Sequence, residues 1–458
     1  MAQTTIEQVY DGLPMPQRVF AILTVSIGVA MAVMDVTITN VALPSLAQAL
    51  QLSNADSIWI VNSYQLAIIM FLLAMSSIGE IYSYRKTYLF GLTLFTLASL
   101  FCGLSSGFYS LVISRLMQGI GASAMMSINM TLLRLSYPKR HLGKGIGFNA
   151  TLVAIATVIA PTLAAIILTW ASWRWLFLIN IPLGIIGLIT GYHALPQNTV
   201  LLSDRKFPKE EILLNAFFFG CLVLTVEGIS HDFNGWLVIG FALSALIVGF
   251  IYIRKELTLS YPLLPIDLMK IPLFSMSVLT SVASFTAQML AMISLPFFFQ
   301  HTMHLSPSET GLLFTAWPFA IIFAAPLAGS LIGKIHAGIL GGIGLGMLSL
   351  GILCLAMLPD NATHVDIIWR MMLCGAGFGL FQSPNNNILI TSAPPSRSGS
   401  ASGMLAMARL TGQMTGATMV ALMFHLFGDG APRISLWCGA GVALVACCVS
   451  LGRLGMRR

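Results

Sequence analysis

Charge is what this chain lacks. Of its 458 residues, 23 are Lys or Arg and 16 are Asp or Glu, 9% in all, against roughly 25% in an ordinary soluble domain. Too few polar groups remain to cover a water-facing surface of this size, which excludes a soluble enzyme and a disordered chain. Cysteine is scarce too. The seven, at 102, 221, 354, 374, 438, 447 and 448, lie in apolar stretches without metal-ligand spacing. They read as small buried hydrophobes and exclude a secreted disulfide scaffold. No G-x-x-x-x-G-K-[ST] run occurs, and the glycine-rich run from Gly119 lies inside an apolar stretch, so no nucleotide is expected. The eight His are scattered. Neither a metal nor a cofactor is expected.

What is present is apolar sequence: 57% of the residues are hydrophobic. A helical membrane span needs about 20 such residues. Fourteen stretches qualify, near 18–44, 57–78, 87–106, 109–133, 145–168, 173–195, 210–229, 236–253, 273–298, 308–331, 337–358, 367–391, 400–425 and 434–452. They are too long and too uniform for alternating barrel strands. The connections between them leave no room for a globular domain. The polar residues before the first stretch do not read as a cleaved signal, so that span is expected to be retained.

Cations orient the chain. With the N-terminus in the cytoplasm, the inner segments hold Arg18, Arg85, Lys86, Arg134, Lys139, Arg140, Lys144, Arg205, Lys206, Lys209, Arg254, Lys255, Lys270, Lys334, Arg397, Arg453, Arg457 and Arg458. The outer side holds only Arg174, Arg370 and Arg433. This asymmetry predicts both termini inside and an even number of spans. The basic residues form no single patch, so no nucleic-acid partner is expected.

The chain also repeats itself. At a constant shift of 256 positions, Gly119 meets Gly375, Gly121 meets Gly377, Ser127 meets Ser383, Asn129 meets Asn385, Pro138 meets Pro394, Gly143 meets Gly399, Gly147 meets Gly403 and Ala150 meets Ala406. The shift carries the fourth stretch onto the twelfth, which has the same orientation. Parallel six-span halves are a known transporter plan. A shift of eight spans is six plus two, which predicts an N-terminal half over 1–195, an inserted helix pair with its flanking loops over 196–272, and a C-terminal half over 273–458.

Three runs carry a family resemblance: M-D-V-T-I-T-N-V-A-L-P (Met34 to Pro44), R-L-M-Q-G-I-G-A (Arg115 to Ala122) and S-W-R-W-L-F-L-I-N-I-P (Ser172 to Pro182). Together they resemble the major facilitator superfamily, in particular its fourteen-span drug:proton antiporter branch. The run from Cys374 to Asn386 is similar to the YebQ-type group of transporters. The resemblance implies an all-α fold in the cell inner membrane, transport by alternating access, and a role for Arg115 in proton coupling. It also implies a gating loop, G-x-x-x-D-R-x-G-R-K, matched here by Gly79, Glu80, Arg85 and Lys86. Glu80 takes the Asp place and Ser83 the Gly place. The antiporter run G-P-x-x-G-G is matched by Ala160 to Ala165, with Pro161 kept.

A charge inside a bilayer costs several kcal/mol and so faces a partner or a cavity. Asp35 sits well inside the first span. A carboxylate out of water holds a proton more readily, and a guanidinium nearby opposes this, so Asp35 and Arg115 form a candidate proton switch. The alternatives are that Asp35 bonds Thr37 or Asn40, and that Arg115 makes a fixed packing pair. Gln118, Asn129, Gln288, Met292, Gln382, Asn385, Asn386 and Arg409, with Asp35, are the candidates for a substrate cavity. Glu227 is a candidate second acidic site or an interfacial glutamate. The expected function is proton-coupled export of small amphipathic compounds, expected to be cationic, by a protein acting as a monomer. Export of an endogenous metabolite by the same fold is the alternative, and a membrane sensor without transport is the reading from another class.

Overall fold

The computed structural model describes residues 12–138, 141–196, 208–230, 233–259, 262–359, 362–394 and 397–455. Lys139, Arg140, Arg205, Lys206, Arg457 and Arg458, counted above as inner cations, lie outside this set. The described residues are helical, with a single isolated bridge between Ile332 and Ile335 in place of any strand. The first part of the chain forms α1 (Gln17–Leu50), α2 (Asn54–Ile81), α3 (Tyr84–Leu104), α4 (Phe108–Ser136), α5 (Leu142–Trp170), the short α6 (Trp175–Leu178) and α7 (Asn180–Ala194). A hairpin of α8 (Lys209–Ser230) and α9 (Gly235–Glu256) follows. Then come α10 (Pro272–Phe297), α11 (Pro307–Phe314), α12 (Ala316–Leu331), α13 (Ala337–Ala356), α14 (His364–Ser392), α15 (Ser398–Phe427) and α16 (Ala431–Gly452).

Local chemistry starts these helices. Ser53 caps α2 by accepting from the Asp56 N–H. Capping boxes open α11, from Ser306 and Glu309, and α14, from Thr363 and Asp366; both satisfy backbone donors that a helix start leaves over. Ser83, standing where a glycine was expected, is extended and caps α3 by accepting from the Lys86 N–H. No left-handed residue is needed there, so the tight turn survives without its glycine.

Twelve helical segments among the described residues are long and apolar enough to cross a membrane. One of them, Ser400–Gly455, runs through α15 and α16 as a single 56-residue segment. The chain reverses inside it at the 3-10 turn Gly428–Gly430, where Gly428 has φ of 53°. Helix α14 is 29 residues long but is not among the twelve. It carries Asp366, Arg370, Gln382, Ser383 and Asn385 to Asn387 along its length.

Packing repeats along the chain. Helix α1 packs on α5 and α7, and α4 packs on α2 and α3; α10 packs on α15 and α16, and α14 packs on α12 and α13. The two sets meet through α2 with α15, α5 with α11 and α1 with α10, and through smaller contacts of α1 with α11 and α5 with α12. The glycines of the repeat explain the match. A Cβ on Gly119 would lie 2.4 Å from the Tyr64 carbonyl oxygen, and one on Gly375 would lie 2.1 Å from that of Trp317. A Cβ on Gly121 would meet Gly91 and Phe95, and one on Gly377 would meet Gly344 and Leu348. Backbones this close exclude any side chain, so glycine recurs at both crossings. The α8–α9 hairpin attaches through α8, which packs on α2 and α15. Much of α9 is exposed, with Phe250 and Leu246 among the large apolar side chains on the outside, as a lipid-facing surface requires.

Candidate functional site

The buried charges gather at α1 and α4. Asp35 is 2% exposed, and Arg115 and Gln118 are wholly buried. One Arg115 guanidinium nitrogen donates to Asp35 and, at 2.6 Å, to the Gln118 side-chain oxygen. Arg115 Nε donates to the Ile60 carbonyl at 2.9 Å. The Gln118 amide donates to the other Asp35 oxygen at 2.8 Å and to Ser99 Oγ at 2.9 Å. Helical spacing places Gln118 one turn from Arg115, so both reach the same carboxylate. The guanidinium also lies 4.3 Å from the centre of the Tyr64 ring and 5.6 Å from that of Phe177. Asp35 is therefore bonded by Arg115 and Gln118, not by Thr37 or Asn40. An ion pair out of water keeps nearly its full strength at any salt concentration; Gln118 and the Ile60 carbonyl add bonds to Nη1 and Nε of Arg115, while its Nη2 is buried without a hydrogen-bond partner.

A cavity of about 610 Å³ lies beside this cluster. Its wall includes Gln288, Met292, Gln382, Asn386 and Arg409, together with Glu80 and Pro161 from the two expected motifs. Asp35, Arg115, Gln118, Asn129 and Asn385 are not on that wall. Tyr64, which is on it, lies against the guanidinium. Asn385 instead ties α14 to α10, donating to Ser281 Oγ at 2.7 Å and to the Ser277 carbonyl at 3.3 Å. Asn129 Oδ1 is buried without a hydrogen-bond partner.

The cavity reaches one end of the helices. Glu80 and Arg134, near the last turns of α2 and α4, and Ser402 and Gly403, in the first turns of α15, line it. At the other end the helices close. Thr162 and Thr315 hydroxyls bond at 2.8 Å. A Cβ on Gly311 would lie 2.5 Å from the Pro161 carbonyl oxygen and 2.7 Å from the Ala165 Cβ. Ala160, Ala164 and Ala165 are buried, so the expected motif of α5 makes its close contact with alanine in place of glycine.

Near the open end, Arg85 donates to the Tyr192 carbonyl and stacks on its ring at 5.8 Å. Gly79 is buried, where a Cβ would meet Ile128 at 2.8 Å, and Lys86 is exposed. Glu227 is wholly buried and accepts from the Asn62 amide on α2. Sequence reasoning missed Tyr64, Gln65, Trp317 and Gln413, all on the cavity wall. Gln413 lies four residues after Arg409, a spacing that would have found it. Among the described residues no group of His, Cys, Asp and Glu is placed to hold a metal ion.

Residues 25–294 and 276–455 match the Major Facilitator Superfamily. Over 440 residues, 96% of each chain, the protein is 50% identical to the "Uncharacterized transporter YebQ" of Escherichia coli (strain K12). It is 28% identical over 395 residues, 86% of each chain, to the "Riboflavin transporter RibZ" of Clostridioides difficile (strain 630). It is 27% identical over 401 residues, 87% of this chain and 74% of the relative, to the "Multidrug resistance protein Stp" of Mycobacterium tuberculosis (strain CDC 1551 / Oshkosh).

Proposed function

The chain belongs to the major facilitator superfamily, a family of multi-pass membrane transporters and not of enzymes, and on that premise we propose that it is a proton-coupled exporter of small amphipathic compounds in the bacterial inner membrane. The observation that carries this reading is the Asp35–Arg115–Gln118 cluster, buried beside Tyr64 at the edge of a cavity that could hold a drug-sized molecule.

Fourteen spans fit the helices best. Segment Ser400–Gly455 contains two antiparallel helices, and α14, at 29 residues, is long enough to cross. Both termini then lie in the cytoplasm, 1–195 and 273–458 form the two halves, and 196–272 carries the inserted pair. The repeated packing supports this division. In this orientation the cavity opens inward and the α5–α11 contact closes the outer side.

The mechanism follows from the charges. With Asp35 ionised, Arg115 holds α1 and α4 together. A proton on Asp35 cancels that attraction and leaves the guanidinium to Gln118 and the Ile60 carbonyl. The α1–α4 contact then has two energetically distinct states, which rocking of the halves can exploit. Tyr64 joins the cluster to the cavity, since its ring lies 4.3 Å from the Arg115 guanidinium and lines the wall. A proton entering from outside and leaving to the cytoplasm drives one cycle of export. No partner protein is required, and a monomer suffices.

Export of an endogenous metabolite is the second reading, favoured by the relative whose name assigns it riboflavin transport. A growth-inhibition panel separates the two. Cells carrying the protein are expected to tolerate some toxic amphiphiles better than cells without it, and to lose that tolerance with a protonophore. Equal sensitivity across a broad panel would remove the drug-export reading.

A further inference from the structure

The cavity wall carries more hydrogen-bond donors than the protein satisfies. Arg409 lies on the wall near the middle of α15, and among the described residues no carboxylate or hydrogen-bond acceptor pairs with it; the Phe285 ring, 5.6 Å from its guanidinium carbon, is its recorded neighbour. The Trp317 indole N–H is buried on the same wall without a partner, as are the Tyr64 hydroxyl and both amide atoms of Gln65. Gln65 is 2% exposed. Arg and Trp can only donate. A buried donor left unmet costs about 1–3 kcal/mol, and two of these groups, Arg409 and Trp317, can be met only by an acceptor on the ligand.

Charge points the same way. Among the described residues the other charged groups on the wall are Glu80 and Arg134, both at the open end. The deep carboxylate of this region, Asp35, is committed to Arg115 and Gln118 off the wall. At the depth of Arg409 no described residue offers a negative charge to a cation, so the expectation of a cationic substrate finds no counter-charge there. The remaining surface is aromatic and thioether, from Phe285, Phe314, Met289 and Met292, which suits flat rings.

We infer that the transported class is a flat aromatic anion, whose carboxylate, sulfonate or phenolate oxygens dock on Arg409 while its rings lie against Phe285 and Trp317. This inference rests on the cavity being a transporter's substrate site. A matched pair of xanthene dyes tests it, because fluorescein is an anion and rhodamine 6G a cation on the same ring system. Equilibrium dialysis of the detergent-purified full chain, above neutral pH, is expected to show fluorescein binding at least about tenfold more tightly than rhodamine 6G. Arg409→Gln is expected to lose about tenfold in fluorescein affinity, and Arg409→Lys to keep most of it.

Equal affinity for the two dyes, preference for rhodamine 6G, binding of neither, or an Arg409→Gln protein that binds fluorescein like wild type would each overturn the inference. The wild-type comparison decides the matter even if the Gln variant fails to fold. Proteoliposome flux separates this from the transporter reading. Selective fluorescein binding without gradient-driven movement leaves the site and removes export, whereas movement of rhodamine 6G in preference to fluorescein leaves export and removes the anion site.

Discussion

Asp35→Asn is the most informative single change, because the variant keeps the shape of the side chain and removes only its charge. Two costs follow from the geometry. The guanidinium of Arg115 loses its counter-ion in a wholly buried position. In addition, an amide at position 35 presents one NH2, and both oxygens of Asp35 now accept, one from Arg115 and the other from Gln118 at 2.8 Å. One donor must therefore face another. Breaking a buried pair by removing one partner costs about 3–5 kcal/mol. The Ile60 carbonyl, the Gln118 oxygen and the Tyr64 ring remain around the guanidinium, so the loss is expected near about 3 kcal/mol, the low end of that range.

Arg115→Met in the same chain is the control. Met371 occupies the position equivalent to Arg115 at the repeat's shift, and it is buried there. With both charges gone, most of the loss is expected to return, to within about 1 kcal/mol of wild type. Thermal unfolding in detergent reads this through a thiol-reactive dye. Cys102 is buried beside Gln118, its Sγ 3.7 Å from the side-chain oxygen, and Cys448→Ser removes the exposed background thiol. The expected order is wild type, then the double variant, then Asp35→Asn. A single variant as stable as wild type, or a double variant no better than the single, would refute the argument that charge pairing holds this cluster.

Other consequences are simpler. Gly119→Ala and Gly375→Ala each drive a Cβ into a backbone carbonyl, at 2.4 and 2.1 Å, and should destabilise by about 1–3 kcal/mol; Gly441→Ala, with nothing within 4 Å, should not, and equal melting temperatures for the three would contradict the close-crossing account. Tyr64→Ala opens the cluster to the cavity, so proteoliposomes should leak protons without substrate; a wild-type leak rate would mean that Tyr64 is no barrier. Asn62→Leu removes the amide that donates to buried Glu227 and should lower stability by about 1–3 kcal/mol, a loss that unchanged unfolding would disprove.

The sequence carried much of this. Asp35, Arg115 and Arg409 stood out because a charge in an apolar run needs a reason, and the repeat stood out because backbones that touch admit only glycine. What was hidden was facing. Depth along a span can be counted from its ends, but the side a residue turns to is set by its neighbours. Asp35 and Gln118 were expected on the cavity and lie off its wall, bonded to each other and to Arg115. Glu227 is buried because α8 packs on α2. Trp317 and Gln65 carried no signal at all, since an aromatic or an amide in a span is commonplace until its polar atoms are seen to be unpaired.

Proton-driven flux is the most direct test of the central claim. Proteoliposomes are loaded with a transported dye in neutral buffer and diluted into acid, and efflux is followed with and without nigericin, which collapses the pH gradient. The account expects the gradient to accelerate wild-type efflux and Asp35→Asn to lose that acceleration while remaining in the membrane. Efflux that ignores nigericin, or an Asp35→Asn protein that responds to the gradient like wild type, would contradict it.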